Sequence, residues 1–168
     1  KGMAGGYPVG AAWISDQMVT TASGPIPASS ILGPGTHGTT YGGGPVACAV
    51  AQAVLDTILK EKLEDHATSM GERAIAGINR IQSPGIEDVR GMGLMLGIVL
   101  NEEPFTPLLG EGESPSLHLV KALMKSGLLT VPAGPDVVRW LPPLNVTPAE
   151  IDEAILLLEK TLAHLLST

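Results

Sequence analysis

Apolar residues return along this chain at two spacings, and the change of spacing marks its elements. After Gly44-Pro45, the residues Val46, Ala49, Val50, Ala53, Val54, Thr57 and Ile58 recur at helical intervals. Pro45 suits the first position of that helix, where its missing N–H needs no partner. A second helix is predicted over residues 63–81, ended by Ser83-Pro84-Gly85. Residues 86–100 read as a strand whose glycines predict a bend or bulge. Ser114-Pro115 opens a helix to Lys125, with Leu117, Val120, Ala122 and Met124 expected to be partly buried, and Gly127 stops it. Residues 128–131 and 137–141 read as strands around a turn at 133–136. The last helix has a capping box with proline at its first position, Thr147-Pro148-Ala149-Glu150. Ile151, Ala154, Ile155, Leu158, Leu162 and Leu165 then form one apolar stripe. The polar face opposite is more acidic than basic, so the stripe predicts a core-facing helix and not a membrane-surface one.

Residues 1–43 show no such period. Loops with short extended pieces are predicted there, at 9–14 and as a strand or helical turn at 18–21, with Ser23-Gly24-Pro25-Ile26-Pro27 as loop. Residues 101–114 are also predicted as loop. Of the chain's 21 glycines and 14 prolines, 11 glycines and 5 prolines lie in its first 45 residues. A free-standing domain rarely begins this way, which sets the expectation that the chain is the back part of a larger protein.

Composition narrows the function classes. The 168 residues are 44% hydrophobic, enough for a packed core, and carry a formal net charge of −7. That balance argues against nucleic acid or an anionic membrane as the main partner. No apolar run is long enough to span a bilayer, and the opening residues lack a signal-peptide pattern. The single cysteine, Cys48, allows no internal disulfide and suits a reducing, cytoplasmic setting. It is read as an inert core thiol on its helix. Asn145-Val146-Thr147 is read as a helix entry, not a glycan site. His66, His118 and His164 show no metal-ligand spacing. Gly91-Met92-Gly93-Leu94-Met95-Leu96-Gly97 has leucine where a dinucleotide fingerprint needs its last glycine. Arg90 is read as structural and His37 as a turn residue.

Three segments carry candidate chemistry. Lys1 precedes the glycine-rich run Gly2-Met3-Ala4-Gly5-Gly6-Tyr7-Pro8-Val9-Gly10-Ala11, and a lysine amine forms an imine with an aldehyde more readily than any other side chain. In His37-Gly38-Thr39-Thr40-Tyr41-Gly42-Gly43-Gly44-Pro45, hydroxyls and free N–H groups ahead of a helix suit an anion; the bland alternative is a capped turn. In Asp136-Val137-Val138-Arg139-Trp140-Leu141-Pro142-Pro143, a guanidinium fork near a strand end suits a carboxylate; the bland alternative is pairing with a surface acid.

In this order the three segments resemble the class-III aminotransferases, over nearly the whole chain except the loop Glu102–Ser114. One departure is Gly44, where the family usually has asparagine; both are acceptable N-caps, so the change costs only a few tenths of a kcal/mol. The resemblance implies an α/β fragment. Residues 1–60 would be the end of a fold-type-I large domain with its connecting helix, and residues 61–168 the α+β C-terminal small domain. It implies pyridoxal 5'-phosphate as cofactor, Lys1 as the Schiff-base and catalytic lysine, and Thr40, assisted by Thr39, on the phosphate of the cofactor held by the other subunit of a homodimer. It implies Arg139 on the substrate α-carboxylate. The remaining N-terminal part of such an enzyme would be a further partner. Residues 130–139 are most similar to the branch that moves the δ-amino group of N-acetylornithine to 2-oxoglutarate in arginine biosynthesis. Transaminases acting on ornithine, succinylornithine or 4-aminobutyrate remain open, as does a non-catalytic small-domain fragment.

Overall fold

The computed structural model describes every residue except Lys1, Leu32, Pro34, His37 and Thr168. It is a mixed α/β structure, as the sequence pattern leads one to expect, in two compact units, Lys1–Glu61 and Lys62–Thr168.

In the first unit, β1 (Met18–Thr21) and β2 (Gly24–Pro27) form an antiparallel hairpin. This corrects the prediction of loop over residues 23–27. Pro25 and Pro27 donate nothing to a ladder, which by itself argues against a strand. The register removes that objection. Pro25 faces Thr20 and Pro27 faces Met18, while the Ala28 N–H donates to the Gln17 carbonyl at 2.9 Å. The prolines thus alternate with the ladder's donors, and no bond is lost. Helix α1 (Pro45–Glu61) follows, and the Cys48 N–H donates to the Gly44 carbonyl at 3.0 Å, which makes Gly44 the cap. Ala47 is buried, and Val50, Ala51, Val54 and Ile58 are half-buried on the same side. Cys48 is exposed, contrary to the core thiol expected. It lies one residue past Ala47, about 100° around the helix from the buried stripe.

The second unit begins where Lys62 takes a left-handed φ of 51° and α2 (Leu63–Ile78) starts. Helix α2 ends three residues earlier than predicted, in a turn closed by Asn79 N–H to Ile75 O and Arg80 N–H to Gly77 O. A four-stranded antiparallel sheet runs in the order β3 (Ile86–Met92), β4 (Met95–Leu100), β6 (Val137–Trp140), β5 (Val131–Pro132). Residues 86–100 are therefore a hairpin turning at Gly93-Leu94, not one bent strand; a register shift occurs between Ile86 and Asp88, away from the glycines that predicted a bulge. Gly71 of α2 lies against that turn so closely that a Cβ there would sit 2.1 Å from the Gly93 carbonyl oxygen.

One face of the sheet carries the core. Leu96, Ile98, Val138 and Trp140 pack against Ala74 and Ile78 of α2, Leu119 and Leu123 of α3 (Pro115–Lys125), and Ile151, Leu158 and Leu162 of α4 (Pro148–Leu166). Helix α3 presents a different face from the one predicted. Leu119 and Leu123 are buried, Val120 and Ala122 half-buried, and Leu117 and Met124 exposed. The buried Ser116 hydroxyl donates to the Gly134 carbonyl at 2.6 Å and turns that side of the helix inward. The predicted loop 101–114 is anchored by the fully buried Phe105 and holds a short 3-10 turn at Thr106–Leu108. The capping box of α4 forms as predicted, with Thr147 N–H to Glu150 Oε2 at 2.7 Å and Glu150 N–H to Thr147 Oγ1 at 3.3 Å. That bond from the Thr147 backbone holds the Glu150 carboxyl below its ordinary pKa. Among the described residues, no helix is long and apolar enough to cross a membrane.

Candidate active site

In the first unit, the segment ahead of α1 folds into consecutive turns. The Gly42 N–H donates to the Thr39 carbonyl at 3.3 Å and the Gly44 N–H to the Tyr41 carbonyl at 3.2 Å. A side chain at Gly42 would collide with Thr39, because its Cβ would lie 2.5 Å from Oγ1. Thr39 and Gly42 share the wall of a cavity of about 700 Å³ with Pro8, Gly10 and Ala12 of the glycine-rich run. Two segments some thirty residues apart in sequence therefore meet at one cavity. Small side chains on the first keep it open, and the second brings a hydroxyl. Thr40 is exposed beside this wall and is not part of it. Neither threonine hydroxyl has a hydrogen-bond partner among the described residues. Lys1 and His37 lie outside the described residues.

In the second unit, Arg139 is the exposed residue of β6, between the buried Val138 and Trp140. It is third of four strand residues, with Gly97 of β4 opposite on one side and Val131 of β5 on the other. Its side chain therefore stands on the sheet face away from the helices. Among the described residues Arg139 makes no ion pair, so the surface-acid alternative is not observed. Arg73 provides the contrast. Its Nε donates to Asp152 Oδ1 at 2.8 Å and its second terminal nitrogen to Oδ2 at 2.6 Å, joining α2 to α4. Those bonds hold the Asp152 carboxyl below its usual range. Arg90, read from the sequence as structural, is also exposed and lies in the same cross-strand row, opposite Gly97 on β3.

A third feature was hidden in the segment predicted as loop. Glu113 accepts from Lys121 Nζ at 2.6 Å, bonds His118 Nδ1 at 2.8 Å and accepts from the Gly110 N–H at 3.3 Å. These bonds, led by that from Lys121, lower its carboxyl to about 2. The available signal was an acid five residues before a histidine and eight before a lysine, across a helix start. No group of three His, Cys, Asp or Glu placed to hold a metal occurs among the described residues.

The family model for class-III aminotransferases matches residues 1–162. The chain is 39% identical to an acetylornithine aminotransferase of Gloeobacter violaceus, over 98% of this chain and 36% of that one. Among solved structures, acetylornithine aminotransferase from Elizabethkingia anophelis superposes with a TM-score of 0.70 at 33% identity, covering 83% of this chain and 34% of that one. Ornithine δ-aminotransferase from Plasmodium falciparum superposes with a TM-score of 0.71 at 27% identity, covering 84% and 35%. The chain thus spans little more than a third of the length of these relatives. Class-III aminotransferases use pyridoxal phosphate. On the match of nearly its entire length, this chain belongs to the class-III aminotransferase family.

Proposed function

We propose that the chain is the C-terminal part of a pyridoxal-phosphate-dependent transaminase, one that moves the δ-amino group of N-acetylornithine to 2-oxoglutarate in arginine biosynthesis. The observation that carries this reading is Arg139, an exposed guanidinium with no acid partner among the described residues, on the sheet face away from the helices. A carboxylate is its natural complement, through two parallel charge-assisted hydrogen bonds. The amino donor and 2-oxoglutarate each carry a carboxylate remote from the reacting carbon, the α-carboxylate of the donor and the γ-carboxylate of 2-oxoglutarate, so one arginine serves both half-reactions. The names of the relatives favour N-acetylornithine as donor.

The cavity of the first unit suits the phosphate end of the cofactor. It has a threonine hydroxyl without a partner and a wall where a Cβ at Gly42 would intrude. Thr40, assisted by Thr39, would donate to the phosphate of the cofactor held by the other subunit of a cytoplasmic homodimer. Lys1 would hold the cofactor's aldehyde through its amine and move a proton at the substrate carbon. Pyridoxal phosphate, when bound, draws electrons from that carbon. In this reading residues 1–60 close the large domain and residues 61–168 form the small domain.

The test is a substrate panel on the complete enzyme, wild type beside Arg139→Lys. The variant keeps the charge and loses the fork, so KM is expected to rise for both substrates and kcat/KM to fall at least about tenfold, roughly 1.4 kcal/mol. Unchanged kinetics would remove Arg139 from the site. Preference for ornithine or 4-aminobutyrate would move the protein to another branch of the family. Lys1→Ala is expected to abolish turnover and the absorbance of bound cofactor.

A further inference from the structure

Four strands bring two arginines into one row. Arg90 on β3 is opposite Gly97 on β4, Gly97 is opposite Arg139 on β6, and Arg139 is opposite Val131 on β5. Directly opposed residues share a face of an antiparallel sheet. Both guanidinium groups therefore rise from the face away from the helices, where both residues are exposed. Their Cα atoms are two strand spacings apart, about 10 Å. The position between them is a glycine, so no side chain separates them and only backbone lies between. A side chain there is also unwelcome, since its Cβ would lie 3.1 Å from Val137 Cγ1.

The charges in this row are not balanced. The chain holds 17 acids against 10 lysines and arginines, yet neither Arg90 nor Arg139 makes an ion pair among the described residues. Asp88 lies on this face one row away along β3, opposite Val99, and forms no pair with Arg90. Two like charges side by side repel, and more strongly as water is excluded. An anion seated over Gly97 turns the repulsion into two attractions.

We propose that Arg90 is a second carboxylate-binding residue, acting with Arg139 across Gly97 on the same substrate carboxylate. The inference rests on the assignment of Arg139 to that carboxylate. Both substrates present a carboxylate remote from the reacting carbon, so Arg90 acts on both. It strengthens binding before and during the reaction alike and contributes little to the chemical step.

The experiment uses the complete enzyme with Arg90→Gln, Arg90→Lys, Arg139→Lys and the Arg90→Gln/Arg139→Lys double variant. In Arg90→Gln, KM for amino donor and for 2-oxoglutarate is expected to rise about tenfold, the loss of one charge-assisted bond, with kcat within about twofold. Arg90→Lys is expected to restore part of that loss. The double variant is expected to show a smaller rise than the product of the single effects, because both residues act on one group. A purely structural Arg90 would move neither the KM-against-kcat split nor the coupling. Should Arg90→Gln fail to fold, Arg90→Lys decides, and wild-type KM values in it overturn the proposal. If Arg139→Lys raises KM while both Arg90 variants match wild type, the proposal falls and the Arg139 assignment stands. If Arg139→Lys itself has no effect, the assignment beneath it falls.

Discussion

Gly71→Ala sets two effects of known size against each other. Helix propensity alone favours the change, because alanine in a helix interior is better than glycine by about 0.5–1 kcal/mol. The surroundings oppose it. The new Cβ would lie 2.1 Å from the Gly93 carbonyl oxygen, 2.6 Å from its carbon and 3.0 Å from its Cα. Every obstructing atom is backbone, so no rotamer change relieves the contact. Ordinary contact starts near 3.4 Å, which leaves α2 and the β3–β4 turn about 1.3 Å too close. Parting them disturbs Met70 beside Gly71 and Ala74 three residues on, both of which belong to the core. Overpacking of this kind costs about 1–3 kcal/mol or more, so the expected net loss is about 2 kcal/mol, or roughly 4–8 °C in Tm. Urea denaturation followed by tryptophan fluorescence measures it, since Trp140 is buried in this unit while Trp13 is 87% exposed in the other. Gly77→Ala is the control. Its Cβ would meet the flexible tip of Ile155 at 2.2 Å, so its cost should be smaller. A Gly71→Ala chain as stable as wild type, or more stable than Gly77→Ala, would refute the reasoning.

Phe105→Ala is expected to cost about 3–5 kcal/mol in the same denaturation assay, because the ring is fully buried and anchors an otherwise irregular segment. A loss under 1 kcal/mol would mean the segment is not part of the core. Thr147→Ala removes one half of a capping box and should cost about 1 kcal/mol, read as a shift in urea midpoint without a change in slope. Glu113 has its carboxyl lowered from 4.5 to about 2 in the folded chain, so its contribution is fully present above about pH 4.5 and is lost as pH falls towards 2. Tm followed from pH 6 to 2 should therefore decline less steeply in Glu113→Gln than in wild type; parallel curves would contradict the linkage. Lys62→Gly relieves a left-handed backbone at φ 51° and should leave Tm unchanged or higher, whereas Lys62→Ala should not raise it.

The amino-acid sequence determined whatever depends on neighbours within a turn or two. The capping box at Thr147 and Glu150 spans three residues and formed as read. Pro45, Pro115 and Pro148 each marked a helix start, because the chemistry of a first turn is local. The segments carrying Thr39, Thr40 and Arg139 were legible as candidate anion sites from side-chain chemistry and resemblance alone. What the sequence left open were choices that another element makes. Residues 86–100 became a hairpin because α2 brings Gly71 against the Gly93 turn, a partner that an alternating pattern does not reveal. Helix α3 has apolar residues on two sides, and Leu119 and Leu123 became the inner ones because the Gly134 carbonyl receives Ser116. Cys48 faces outward because the buried stripe of α1 starts at Ala47. Arg90 and Arg139 are 49 residues apart in the chain, and only the register through Gly97 puts them in one row. Strand pairing is a long-range choice, fixed by which faces bury apolar surface together, and a period of two along one strand carries no record of its neighbours.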